Sequence, residues 1–258
     1  MTEVIQKAVK FNGCKLTLEL EAQTPHIHFQ HDEMGATLRA SEVKPKFDRF
    51  LNKKIKDKVK PESMYNSKEH KSFDYKVKII GNAELGKINK ADCNIYYGDI
   101  KEFNLRDCKI EIICFDNDLQ KYIKENIVEF FYVTNFGTMQ SKGFGSYKPS
   151  IGEKIEDKDI TRWLMDNYST TKAWKYSGIQ GNRNERCKNQ MRWIKSFYWI
   201  MKSGQNFGGY ERSYLFEYKH KNFGKATNTK NVIKSIDNEK AWMKQKGIAP
   251  IYSKVKKR

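Results

Sequence analysis

The sequence lacks the patterns that mark zinc centres, disulfide frameworks and membrane spans. Its five cysteines are Cys14, Cys93, Cys108, Cys114 and Cys187. Their odd number and the absence of any Cys-x-x-Cys pair argue against structural zinc and paired disulfides. No long apolar run, signal peptide or lipidation motif occurs either. Together these absences predict a cytoplasmic protein that carries reduced cysteines and has no membrane partner.

Motifs of nucleotide-dependent and hydrolytic enzymes are also missing. There is no Gly-x-Gly-x-x-Gly turn after a strand, no Gly-Lys-Ser or Gly-Lys-Thr, no Gly-x-Ser-x-Gly elbow and no His-Glu-x-x-His pair. Enzymes of those families are therefore not expected. The sequence gives no reason to expect a cofactor, and we predict none.

Acidic residues are scarce relative to basic ones. The chain of 258 residues has 49 lysines and arginines against 31 aspartates and glutamates, which gives a formal net charge of +18. Such an excess predicts a polyanionic partner, and nucleic acid is the first candidate. A hydrophobic fraction of 38% with 13% aromatics predicts a packed core, in one large domain or a domain with an extension.

Hydrophobic periodicity divides residues 1–150 into strands and helices. The predicted strands are 14–22, 73–80, 109–115 and a short run ending near Lys148, with 94–98 as a further short candidate. Helices with one apolar face follow Ser41, a candidate N-cap, and Asp116 or Asn117. The order βαββαβ predicts an α+β, ferredoxin-like (RRM-like) domain with both helices on one face of an antiparallel sheet.

Residues 151–258 are predicted to form a basic, aromatic-rich and mostly helical extension. The expected helices are 159–166, 185–202, which Gly204 closes, and 235–246. Aromatic and basic residues interleave between residues 204 and 230. This pattern is typical of single-stranded RNA binding and also of the apolar core of a hairpin, so both interpretations stay open.

The first predicted helix carries many cations on its polar face. They are Lys44, Lys46, Arg49, Lys53 and Lys54, and the run continues through Lys56, Lys58 and Lys60. Only Asp48 and Asp57 offset them in this stretch. A charge run is ordinarily a solvated face, but this one is dense enough to neutralise several phosphates of a nucleic acid.

A glycine-rich stretch at residues 135–147 lies between the second predicted helix and the last predicted strand. It contains Gly137, Gly143 and Gly145, the cation Lys142, and the rings of Phe136, Phe144 and Tyr147. Bare backbone amides, a cation and exposed rings would suit a phosphodiester chain with unstacked bases. The alternative is a plain connector. The expected position at the sheet edge, beside the start of the first helix, favours RNA contact.

Histidines concentrate in one short run that holds His26, His28, His31 and Asp32. A metal site would need converging ligands from a second cluster, which is not visible, and we predict no metal. The histidines could instead move the 2′-hydroxyl proton in metal-independent RNA cleavage. The favoured interpretation is that they are non-catalytic side chains beside a strand.

Two stretches resemble the RAMP superfamily, the repeat-associated mysterious proteins of CRISPR systems. Thr24-Pro25 after a strand, with Leu38-Arg-Ala-Ser-Glu-Val-Lys-Pro45 leading into a basic helix, is similar to the entry of the family's first helix. Gly137-Thr-Met-Gln-Ser-Lys-Gly-Phe-Gly145 is similar to its glycine-rich loop. Within the superfamily, the pattern looks closest to the non-catalytic, Cmr-like subunits of type III effector complexes. The resemblance covers residues 1–150.

The resemblance implies an RNA-binding subunit that contacts the backbone of guide RNA, beside other effector subunits and with target RNA as a further partner. The RNA-binding residues so predicted are Arg39, Lys44, Lys46, Arg49, Lys53, Lys54, Gly137, Lys142, Gly143, Phe144, Gly145 and Ser146. RAMP ribonucleases that mature guide RNA often place a histidine near the first helix. The alternative is therefore a guide-processing endoribonuclease that uses His31, His28 or His26. A general nucleic-acid-binding scaffold is the second alternative.

Overall fold

The computed structural model describes residues 9–27, 38–54, 64–67, 72–89, 102–151, 165, 181–206 and 209–223. The chain forms two compact units. The first comprises Met1–Ser169 with Lys175–Arg192, and the second comprises Thr170–Trp174 with Trp193–Arg258. The division into regions 1–150 and 151–258 stays a prediction.

The first unit follows the predicted alternation of strands and helices. Its strands are β1 (Phe11–Asn12), β2 (Lys15–Ala22), β3 (Tyr65–Ser67), β4 (Ser72–Phe73), β5 (Lys76–Asn89), β6 (Glu102–Ile113) and β7 (Tyr147–Ser150). Its helices are α1 (Ala40–Lys54), α2 (Asn117–Val133) and the start of α3 (Arg183–Tyr198). A short 3-10 turn, Gln140–Lys142, lies between α2 and β7. The mixed α/β class with an antiparallel sheet is confirmed.

Strand β2 occupies the middle of a five-stranded antiparallel sheet. On one side it pairs with β6, from Lys15↔Ile113 to Leu20↔Cys108, and β6 pairs in turn with β5. On its other side β2 pairs with β1 near its start and with β7 from Glu19↔Ser150 to Ala22↔Tyr147. The strand order of the sheet is therefore β7–β2–β6–β5, with β1 continuing the β7 edge.

The core lies between the apolar face of the sheet and the two helices α1 and α2. Leu16, Leu18 and Leu20 alternate with exposed residues along β2, and the three leucines are buried, as the period of two predicts. Helix α1 buries Val43, Phe47 and Leu51 at helical spacing, and α2 buries Leu119, Ile123, Ile127, Val128, Phe130 and Phe131. The rings of Phe47 and Phe130 meet with their centroids 4.8 Å apart. This contact joins the two helices.

The ends of several elements differ from the predicted ones. Strands β5 and β6 stay paired as far as Asn89↔Glu102. The predicted strands cover only residues 73–80 and 109–115, so the observed pairing extends well beyond them. Backbone pairing needs no apolar alternation, so the sequence pattern does not mark this extension. Asp116 caps α2 as predicted, because its Oδ1 accepts a hydrogen bond from the Leu119 amide at 2.8 Å. The candidate strand at 94–98 lies outside the described residues.

The opposite face of the sheet carries paired charges. Lys15 Nζ lies 2.7 Å from Glu111 Oε1, and Lys109 Nζ lies 3.0 Å from Glu19 Oε1. The hydrogen bond from Lys15, together with the charges of Lys78 and Lys109, holds the pKa of Glu111 below its usual value. Lys15 and Lys109 are therefore paired with carboxylates of the same sheet.

The described part of the second unit begins within α3. Beyond Tyr198 the helix continues as a π-helical segment, Trp199–Ser203, and Gly204 ends it with a φ of 74° and an amide bonded to Trp199 O at 2.7 Å. The predicted helix at 185–202 and its glycine stop are thus confirmed. A hairpin of β8 (Gln205–Asn206) and β9 (Tyr210–Glu211) and a helix, α4 (Tyr214–Phe223), follow. Apart from residue 165, the predicted helices at 159–166 and 235–246 lie outside the described residues.

Candidate nucleic-acid interface

The predicted glycine-rich stretch folds into a compact loop, residues 136–146, which we name the glycine loop. Its ends are joined by a bridge between Asn135 and Ser146 and by a hydrogen bond of 2.9 Å from the Phe136 amide to Gly145 O. Gly137, Gly143 and Gly145 have φ angles of 76°, 84° and 72°. These left-handed backbone conformations favour glycine. Together the three glycines let the short loop turn back so that its two ends meet.

The segment from Gln23 to Ile27, directly after β2, holds the glycine loop in place. The Thr24 hydroxyl donates to Gly143 O at 2.6 Å and accepts from the Ser146 amide at 3.0 Å. The Gly145 amide donates to Pro25 O at 2.9 Å. The Thr138 amide donates to Ile27 O at 2.7 Å, and the Gly143 amide to Gln140 O at 3.0 Å. The prediction of bare amides is therefore wrong for these groups, because the protein itself uses them.

Two of the glycines are required by close contact rather than by a ligand. A Cβ atom built on Gly145 would lie 1.8 Å from Phe136 O, and one built on Gly137 would lie 2.3 Å from Ile27 O. No real Cβ tolerates either distance. The glycines thus allow the loop to pack against its own first residue and against the segment after β2.

The aromatic rings of this stretch point into the core. Phe136 and Phe144 are completely buried, and Tyr147 is 2% exposed. The Phe136 ring packs at 5.8 Å from Phe130 and 5.6 Å from Phe131, measured between centroids. The expectation that these rings are exposed for base stacking is wrong, because they complete the apolar core beneath the loop. This correction includes the ring of Phe144.

A carboxylate from α1 meets the glycine loop. Glu42 Oε1 accepts a hydrogen bond from the Gly137 amide at 2.8 Å and one from Lys46 Nζ at 2.7 Å. Lys46 Nζ also donates to Asn135 O at 2.9 Å and lies 4.9 Å from the centroid of the Phe136 ring. The start of α1 is therefore bound to both the glycine loop and the residue that precedes it.

Lys44 serves the packing of the protein. Its Nζ donates to Asp48 Oδ2 at 2.9 Å, to Ser72 Oγ at 3.2 Å and to Phe73 O at 2.9 Å, and it lies 4.2 Å from the centroid of the Tyr75 ring. Burial, followed by the charge of Asp48, raises the pKa of Tyr75 well above its usual value. All three donors of this ammonium group are used, so Lys44 ties α1 to β4.

The remaining cations of α1 differ in their surroundings. Lys54 forms an ion pair with Glu129 of α2. Arg49 and Lys53 are exposed, and the one bond described for the Arg49 guanidinium runs within the helix, to Pro45 O at 3.2 Å. Lys46, Arg49 and Lys53 follow one another at i, i+3 and i+7, a spacing that places them on one face over about 10 Å of helix. We name these three residues the α1 stripe, and it starts where Lys46 touches the residue before the glycine loop.

The other predicted contact residues lie beside the start of α1 or in the glycine loop. Arg39 is half-buried, and its carbonyl accepts the first amides of α1, from Glu42 and Val43, both at 3.0 Å. Lys142 is half-buried at the end of the 3-10 turn. Ser146 is half-buried, with its carbonyl bonded to the Gln23 amide at 2.9 Å. The RNA contacts of all these residues stay predictions.

One of the predicted catalytic histidines is described. His26 Nδ1 lies 3.2 Å from the Tyr147 hydroxyl, and its ring borders Gly137. His28 and His31 lie outside the described residues. Catalysis by the histidines stays a prediction. Across the described parts of the chain, no group of three or more His, Cys, Asp or Glu side chains is arranged to hold a metal ion. No described helix is long and apolar enough to cross a membrane.

Sequence reasoning missed the polar residues that assemble this region. Asp107 Oδ1 accepts from the Ala22 amide at 2.7 Å, and Arg183 donates to Ala22 O at 2.9 Å and forms an ion pair with Asp107. Any two of Ala22, Asp107 and Arg183 are at least 76 and at most 161 positions apart in the sequence. No local sequence pattern could therefore reveal their contacts. Thr24 and Glu42 belong to the stretches that resemble RAMP proteins. However, their partners in the glycine loop, Gly143 and Gly137, lie more than 90 residues away.

Comparison with known proteins identifies the family. Among solved structures, the crystal structure of apo Cmr1 from Pyrococcus furiosus is similar, with 14% sequence identity, 83% of this chain and 77% of that chain covered, and a TM-score of 0.44. No curated protein matches the chain significantly. The model of the Cmr1 N-terminal domain matches residues 13–205, which is most of the chain. The resemblance to Cmr-like RAMP proteins is thereby confirmed, and the chain belongs to the Cmr1 N-terminal domain family.

Proposed function

We propose that this chain is an RNA-binding, non-catalytic subunit of a type III CRISPR effector complex. Membership of the Cmr1 N-terminal domain family supports a place beside other effector subunits. The strand order β7–β2–β6–β5, with α1 and α2 following β2 and β6, supports a ferredoxin-like RAMP domain. The net charge of +18 supports a nucleic acid as the ligand, and guide RNA is the one we propose.

The α1 stripe is the observation on which the RNA-binding proposal depends. Arg49 and Lys53 are exposed cations of α1, and Lys46 connects their face to the residue before the glycine loop through Asn135 O. The glycine loop orients this helix rather than offering its amides, since Glu42 occupies the Gly137 amide. In the proposed complex, the RNA backbone follows the α1 stripe, and Lys142 and Arg39 reach it from either side.

Reversing two charges of the α1 stripe tests this proposal. We expect the double variant Arg49→Glu/Lys53→Glu to bind a single-stranded guide RNA roughly 10- to 100-fold more weakly near 0.1 M salt. The slope of log affinity against log salt should fall by about 1.4, since each lost phosphate contact removes about 0.7 for a single strand. Fluorescence anisotropy across a salt series measures both quantities.

A matched double variant separates local contact from general attraction. Lys10→Glu/Lys76→Glu changes the net charge by the same amount at two exposed lysines that lie outside α1. We expect it to alter affinity only slightly. Equal losses in both double variants would mean that net charge alone attracts the RNA, and unchanged affinity in the α1 variant would overturn the proposal. Recovery of one RNA of uniform length with the purified protein would support it.

A further inference from the structure

The start of α4 is fixed in place, although the helix lies on the surface of the second unit. Ser213 is 1% exposed, and its hydroxyl donates to Lys202 O at 3.0 Å while accepting from the Phe216 amide at 3.2 Å. The Glu217 amide donates to Ser213 O at 3.0 Å. Phe216 therefore sits in a capped first turn, where its backbone has little freedom to move.

Three planar side-chain groups lie near one another at the first turns of α4. Phe216 is 45% exposed. The Arg212 guanidinium carbon lies 5.4 Å from the centroid of the Phe216 ring, and the centroid of the His220 ring lies 6.2 Å from it, with the two rings tilted by 42°. Arg212 and His220 are themselves exposed. Phe216 and His220 are four residues apart and therefore share one face of α4, and Arg212 precedes the helix. We name these three residues the α4 ladder.

The charge around the α4 ladder complements a polyanion. The described residues of the second unit include Lys195, Lys202, Arg212, Lys219 and Lys221 against Glu211 and Glu217. Single exposed apolar residues are ordinary on protein surfaces. Phe216 differs because two planar, hydrogen-bonding side chains lie beside its ring, and Lys219 and Lys221 belong to the same helix. One ring and two polar planes offer far less apolar area than a protein interface requires, but they match the size of a nucleobase.

We propose that the α4 ladder is a second RNA-binding site, which stacks an unpaired base on Phe216. Arg212 would bond to the edge of the base, and Lys219 and Lys221 of the same helix would hold the adjacent phosphates. This inference takes RNA as the ligand from the proposed function. It adds a contact that reads bases rather than backbone, on a different unit from the α1 stripe.

A pair of RNA probes distinguishes base stacking from charge attraction. The full chain is titrated with single-stranded oligouridylate and with an abasic oligomer of the same length, which keeps the phosphates and lacks the bases. We expect Phe216→Ala to weaken oligouridylate binding roughly 5- to 100-fold, the range for one stacked base, and to leave abasic binding unchanged. Phe216→Trp should restore or exceed wild-type binding, because a larger ring still stacks.

Ile200→Ala serves as the control, because Ile200 is 39% exposed in the same unit and lacks a ring. Equal losses of oligouridylate binding in Ile200→Ala and Phe216→Ala would overturn the inference. So would unchanged binding in Phe216→Ala, including the case in which this variant instead loses association with a protein partner. Wild-type protein that binds neither oligomer would overturn the proposed function as well, whereas binding that depends on the α1 stripe alone would overturn only the second site.

Discussion

The glycine loop and the α1 stripe lie next to each other, and the sequence predicts that both contact RNA. In the glycine loop, amides and rings turn toward the protein, where Pro25, Ile27 and Glu42 accept the hydrogen bonds. On the α1 stripe, Arg49 and Lys53 turn toward solvent. Glycine content therefore reports how closely two backbones approach, whereas exposure of charge reports what a ligand can reach.

The same contrast exists within α1 itself. Lys44 and Lys54 lie on the same helix as Arg49 and Lys53, but Asp48 and Glu129 pair with them. A cation count from sequence cannot separate the two groups. The separation can be measured, since packing residues affect stability and contact residues affect RNA affinity.

The largest expected effect concerns Gly145. We expect Gly145→Ala to lower the free energy of unfolding by more than about 3 kcal/mol, because the new Cβ would lie 1.8 Å from Phe136 O at a positive φ. Gly13→Ala is the control, since Gly13 also has a positive φ, of 59°, but nothing lies within 4 Å of its Cβ position. That change should cost only about 1 to 2 kcal/mol. Equal losses in urea denaturation would show that the loop is not closely packed.

A smaller loss of stability is expected at Lys44. Replacing it in Lys44→Met leaves the Asp48 carboxylate, 7% exposed, without its ammonium partner. We expect a loss of about 2 kcal/mol in the free energy of unfolding. This is less than the cost of breaking a fully buried ion pair, because the Lys44 side chain is partly exposed. Arg49→Met, at an exposed site, should change stability by less than about 0.5 kcal/mol. A destabilised Arg49→Met beside a stable Lys44→Met would reverse the assigned roles.

The smallest effect concerns Glu42, where the glycine loop and the α1 stripe meet. In Glu42→Gln the amide oxygen can still accept from Gly137, but Lys46 loses its charged partner and becomes available to a phosphate. We expect stability within about 1 kcal/mol of wild type, as for a surface ion pair. RNA affinity should rise a few-fold, with a salt slope steeper by about 0.7. A weaker-binding Glu42→Gln would mean that the carboxylate orients the loop for RNA.

Much of the fold could be predicted because its main signals are local. The alternation of Leu16, Leu18 and Leu20, the helical spacing in α1 and the Asp116 cap all depend on residues within a few positions. The ribbon beyond Gly81 carries no such signal, since its two strands are held by backbone bonds. Helix α4 was missed because its aromatic residues gave the same pattern as a hairpin core.

The sequence indicated which residues of the candidate site lie together but not how their polar groups are used. The motifs placed Thr24, the glycines and the α1 cations in one region, where the structure also brings them together. Whether a loop amide is bare depends on distant partners, such as Glu42 for Gly137, which is 95 residues away. Lys44 and Lys46 have partners only four residues away, but the sequence does not show that these pairs form. Side-chain exposure is a property of the folded chain, and composition cannot supply it.

The pairing of β2 with β7 also governs when the domain can complete its fold. Thr24 and Ser146, which are hydrogen-bonded beside that pairing, are 122 residues apart in the chain. A ribosome that adds about 5 to 20 residues per second needs roughly 6 to 24 s to produce the second after the first. During that interval most of one edge of the central strand has no neighbour, and such edges pair with other chains. The order of synthesis thus leaves β2 exposed to misassembly until β7 has been made.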